Sequence, residues 1–143
     1  MSAALTKCAE ILVEWCDSHP HCYPPTILHV TDGESTDGDP SQIASAIQQI
    51  STNDGSTLLF NVHISTAMGE GTQFPSSDNH LGDKYAKQLF LMSSNLPDHV
   101  ATIAKEKGYN LSDGARGFMF NADPKDIINF FEIGTRPRLS VDR

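Results

Sequence analysis

At 143 residues the chain has the length of one domain built on one core. Its 38% hydrophobic and 20% charged residues exclude a disordered polymer. A formal charge of -8, with no basic run, argues against a nucleic-acid partner, whose phosphates need Lys and Arg patches.

Residues 2–18 read as an amphipathic helix. Leu5, Cys8, Leu12, Trp15 and Cys16 recur at spacings of three and four, and Ile11 and Val13 widen the stripe. Lys7, Glu10 and Glu14 fall on the other side, and Trp15 is expected in the core. Only Ser2 could cap this helix, so the chain begins inside or at the very edge of an element. Cys16, His19, His21 and Cys22 follow closely and are zinc-ligand types. They lack the spaced-pair pattern of a structural zinc site, and Cys16 belongs to the apolar stripe, so packing is the stronger reading. Three cysteines, an odd number, give no disulfide framework and point to a reducing, cytoplasmic compartment.

Residues 26–31, a β-branched apolar run behind Pro24-Pro25, predict a buried strand. The chain then turns acidic at Asp32, Glu34, Asp37 and Asp39. Asp39 is placed as an N-cap, Pro40 at the first helical position and Gln42 to close a capping box. The helix over residues 40–51 buries Ile43, Ala46, Ile47 and Ile50, and Asn53-Asp54-Gly55 ends it. Residues 56–64 form the second strand, completing a βαβ unit with parallel strands.

In such sheets ligands bind outside the carboxyl ends of the strands. Carboxylate loops suit hard cations, so Asp32 is the candidate ligand for Mg²⁺ or another divalent cation. The competing reading is a solvated turn whose carboxylates cap helices.

Residues 65–82 form a long Gly/Ser/Thr-rich loop leaving the second strand at the same edge, where Ser65 and Thr66 could help bind a partner. Residues 83–93 read as a helix with Tyr85, Leu89, Phe90 and Met92. A break at Ser94-Asn95-Leu96-Pro97 starts another, which buries Val100, Ile103 and Ala104 and ends in Lys105-Glu106-Lys107-Gly108. Residues 117–121 are a short third strand or an extended segment. Asp123-Pro124 opens the last helix, with Ile127, Ile128, Phe130, Phe131 and Ile133 inward and Gly134 at its close. Residues 135–143 are expected to fray. His29 and His63 stand on strands, where a hydrogen-bonded histidine is commoner than a metal or acid–base residue. No apolar run reaches the roughly 18 residues of a membrane span, and the N-terminus lacks a signal-peptide layout.

Together, Pro25-Thr26-Ile27-Leu28-His29-Val30-Thr31-Asp32-Gly33 and the Asp39-Pro40 helix start resemble the von Willebrand factor A domain, at its fourth strand and third metal-site motif. The opening helix resembles the one after the family's second metal motif. The second strand, Asn121-Ala122-Asp123 and Ile133-Gly134-Thr135-Arg136 are similar to bacterial members. The resemblance implies an α/β fold, a small mostly parallel sheet with helices on both faces, forming one domain over residues 1–143 without the family's N-terminal strands. It also implies a non-catalytic protein-interaction module with a metal-ion-dependent adhesion site. Of that site only Asp32 has a match; no Asp-x-Ser-x-Ser stands in the chain, so the implied site is incomplete.

A missing central strand would leave residues 26–31 at a sheet edge. The chain is then a fragment, or another copy supplies a strand by oligomerisation or exchange, or a protein partner completes the sheet. The alternative function is a metal-dependent hydrolase or phosphotransfer enzyme using the Asp32, Glu34 and Asp37 carboxylates, with Lys84 or Lys105 brought near in space.

Overall fold

The computed structural model describes residues 1–65 and 70–136. The helices are α1 (Ser2–Ser18), α2 (Ser41–Ile47), α3 (Lys84–Met92), α4 (Asp98–Glu106) and α5 (Pro124–Thr135). The strands are β1 (Thr26–Thr31), β2 (Ser51–Thr52), β3 (Gly55–Ser56), β4 (Leu58–His63), β5 (Thr72–Gln73) and β6 (Phe118–Phe120). The 4-stranded sheet runs in the order β1-β4-β6-β5. β1 pairs parallel with β4, aligning Thr26 with Leu58 and Thr31 with His63. β4 pairs parallel with β6, and β5 closes the far edge antiparallel to β6. No helix among the described residues is long and apolar enough to cross a membrane.

Alternation along the strands divides the interior into two layers. Ile27, Leu59, Phe118 and Phe120 pack with Leu5 and Leu12 of α1, Ala44 and Ile47 of α2, and Ala86, Leu89 and Phe90 of α3. Leu28, Phe60, Val62 and Met119 pack with Val100 and Ala104 of α4 and with Phe130 and Ile133 of α5. Each fully buried Leu or Phe contributes about 1.5–3 kcal/mol relative to exposure. Helices therefore cover both faces, which explains why β1 and β4 are apolar on both. Gly134 does not close α5. It is buried inside the helix, where a Cβ would come within 2.8 Å of Leu28 Cδ2, so its bareness lets α5 settle onto β1.

Several elements differ from the sequence expectation. β1 is half-buried, not buried, because it is the edge strand. α2 stops at Ile47, and Asn53-Asp54 turns a small β2–β3 hairpin instead of ending a longer helix. Pro40 stands at the N-cap of α2, while the Asp39 carboxylate accepts from the Ser41 N–H one step further in. The long loop contains β5, whose two residues carry no periodic signal. Trp15 is half-buried and stacked on His19, with ring centroids 4.6 Å apart. Ile11, Val13 and Ile128 face outward, because α1 and α5 each pack on one side only. Thr135 still belongs to α5 and Arg136 is its C-cap; the rest of the expected fray, 137–143, lies outside the described residues.

Candidate functional site

Because β1, β4 and β6 run parallel, their carboxyl ends share one edge. There the Ile64 N–H donates to the Thr31 carbonyl (2.9 Å), and the Asn121 N–H donates to the His63 carbonyl (3.0 Å). Asn121 adopts φ 45°, a left-handed conformation that Asn tolerates. Its side-chain oxygen accepts from the Ser65 N–H at 2.7 Å, locking the exit from β4.

The turn after β1 rests on a buried histidine. Gly33 has φ 101°, and its N–H donates to Thr31 Oγ1 (3.0 Å). A Cβ on Gly33 would fall inside the His63 imidazole, so only glycine fits. His63 stacks on Phe120, and its Nε2 lies 2.8 Å from Asp83 Oδ2. Asp83 also caps α3, accepting from the Tyr85 N–H at 2.9 Å. Burial opposes ionisation of Asp83, but the Tyr85 N–H and His63 outweigh it, and the carboxyl lies below its usual range. An ionised Asp83 can only accept, so His63 Nε2 carries the proton. His63 Nδ1 is then a buried nitrogen with no hydrogen-bond partner among the described residues.

The acidic residues divide into two pairs. Asp37 accepts from the Ala3 N–H (2.7 Å), the Ser2 N–H (2.8 Å) and the Met1 nitrogen (2.7 Å), capping α1 from a distant segment. These contacts, with the Ala3 N–H foremost, hold its carboxyl well below the usual range. Asp39 accepts from the Ser41 N–H and from the Gln88 amide, both at 2.9 Å, and is likewise lowered, chiefly by Ser41. Asp32 and Glu34 are exposed, and no hydrogen bond or ion pair engages either carboxylate among the described residues.

A divalent ion takes about six oxygen ligands. No group of three or more His, Cys, Asp or Glu side chains that could hold a metal ion occurs among the described residues. The described residues fit part of an ion's shell, with Asp32 at the strand tip, and not a closed site.

The other sequence candidates have surroundings of their own. Burial raises the Cys16 thiol foremost, and Cys8 is raised by burial too. His21 meets the Asn53 amide at 3.1 Å, and Cys22 is exposed. His29 is hydrogen-bonded on its strand, its Nδ1 2.8 Å from Asn61 Oδ1. The Lys84 ammonium lies 4.7 Å from the Tyr85 ring centroid, and Lys105 is exposed on α4, which packs on the opposite face. Thr66 lies outside the described residues.

Sequence reading missed the His63–Asp83 pair, whose members are 20 positions apart. It also missed Asn61, which is fully buried and donates to Ser93 Oγ (2.8 Å) beneath His29. The one available signal was Asp83 itself, an N-cap residue directly ahead of a helical pattern. No protein-family model matches the chain, and neither a curated protein nor a solved structure matches it.

Proposed function

We propose that the chain is a non-catalytic protein-interaction module of von Willebrand factor A type that docks its partner at the carboxyl tips of β1, β4 and β6. The observation that carries this reading is the division of the acidic loop. Asp37 and Asp39 are committed to helix caps, while Asp32 and Glu34, on a turn seated on His63, have no hydrogen bond or ion pair among the described residues. A fixed turn presenting free carboxylates suits recognition, because little ordering entropy remains to be lost on binding. The parallel order β1-β4-β6, with Thr31-Asp32-Gly33 at a strand end, also supports it.

In this reading Asp32 supplies one carboxylate to a divalent ion, and water and an acidic group of the partner complete the shell. The enzymatic alternative needs Asp37 beside Asp32, and the Asp37 carboxylate is bound to the start of α1. Calorimetric titration with Mg²⁺ and Mn²⁺ tests the assignment. Weak binding by the wild type, lost in Asp32→Ala, is expected; equal heats for both proteins remove Asp32 from any metal role.

A further inference from the structure

A groove on α3 carries chemistry that neither the strand tips nor the helix caps use. α3 packs on β4 and β6, the two interior strands of the sheet. The groove has a volume of about 500 Å³ and is lined by Ser41 at the start of α2 and by Lys84, Tyr85, Lys87, Gln88 and Leu91 of α3. Lys84, Lys87 and Leu91 follow at spacings of three and four, so they form one stripe of the helix surface. The Gln88 amide donates to Asp39 Oδ1 (2.9 Å) and to Ser41 Oγ (3.4 Å), which ties the two walls together.

Charge distinguishes this groove in a chain of -8. None of its lining residues is acidic. Lys7 pairs with Glu10, and Lys107 and Arg136 pair with Glu132. Lys84 and Lys87 form no ion pair with a carboxylate among the described residues, and the Lys84 ammonium lies over the Tyr85 ring. Lys105 on α4 and Lys125 on α5 stand singly, on helices that pack on the other face of the sheet. Lys84 occupies the first turn of α3, where the helix dipole disfavours a cation, so helix stability does not account for it. Beside the two cations Leu91 is 62% exposed, and Tyr85 is half-buried. The groove therefore offers positive charge at one end and apolar surface at the other.

We infer that this groove binds a short acidic segment of a partner protein, with carboxylates on Lys84 and Lys87 and an apolar side chain on Leu91. Lys84 and Leu91 are two helical turns apart, about 10 Å along the axis. An extended peptide covers that distance in about three residues, so a carboxylate and an apolar side chain at that separation match the stripe. The net charge of -8 opposes a long polyanion such as a nucleic acid or an anionic bilayer, and leaves room for a few carboxylates at a local positive patch. This contact needs no ion at Asp32.

The probe is the peptide acetyl-Glu-Glu-Ala-Leu-amide, titrated into isotope-labelled protein in EDTA and followed by amide NMR shifts. The signals of Lys84, Lys87, Gln88 and Leu91 should move saturably, and added salt should weaken the binding. Lys84→Glu combined with Lys87→Glu should weaken it about tenfold or more. Glutamate is favoured in a first helical turn, so this variant should fold, as circular dichroism would check. A peptide with Ser in place of Leu should bind more weakly. No saturable shift up to about 10 mM peptide overturns the inference. So do shifts that persist in the folded double variant, shifts equally strong with acetyl-Lys-Lys-Ala-Leu-amide, or shifts centred on Asp32 and Gly33 instead. Cosedimentation with phosphatidylserine vesicles in the absence of peptide binding would assign the groove to a membrane surface and overturn it too.

Discussion

Gly33 and Asp32 are neighbours with opposite sensitivities. Gly33→Ala forces a methyl into the His63 ring at a positive φ, and should cost about 2 kcal/mol or more in urea denaturation. Asp32→Ala removes an exposed side chain that has no partner among the described residues, and should change stability by no more than about 0.5 kcal/mol. If the two variants proved equally stable, Gly33 would not be the seat of the turn. The position of Asp32 was legible in the sequence, because a β-branched run ending in Thr-Asp-Gly marks a strand and its exit. His63 was not. Its role comes from Asp83 and Gly33, which only the folded sheet brings together.

At the scale of elements, α1 is held by a carboxylate from another segment. The folded-state pKa of Asp37 is depressed, so its contribution is present above the unfolded carboxyl value and lost as pH falls towards the folded one. Asp37→Asn should therefore lower the melting temperature at neutral pH, and its gap from the wild type should narrow below about pH 4. A gap independent of pH would mean that ionisation of Asp37 is irrelevant.

α5 is tethered by a phenol. Tyr109 donates to Asp126 Oδ1 at 2.6 Å, and burial followed by that bond pushes its pKa up to about 12. The neutral phenol is favoured on folding, so this stabilisation fades as pH rises above the ordinary tyrosine value of about 10. Absorbance titration should show a late-ionising tyrosine that disappears in Tyr109→Phe. Helices were readable at this scale because three-four spacing over nine or more residues gives a clear signal, as in α1, α3 and α5. The β2–β3 hairpin and β5 were not, since two residues per strand cannot show a period.

For the whole molecule, the sheet order sets where the strand ends lie. Parallel β1, β4 and β6 put their tips on one side, and β1 stands at the end of that order among the described residues. The α/β class and the parallel βαβ unit followed from the strand–helix–strand pattern. The position of β1 at the edge followed only from the family resemblance, because no local pattern tells an apolar edge strand from a central one.

Docking at the tips is tested most directly by paramagnetic broadening of amide NMR signals with substoichiometric Mn²⁺. Broadening should centre on Asp32, Gly33 and Glu34, extend to Ile64 across the β1–β4 pair, and vanish in Asp32→Ala. Unbroadened signals in the wild type, or broadening centred on His19, His21 and Cys22 instead, would contradict it.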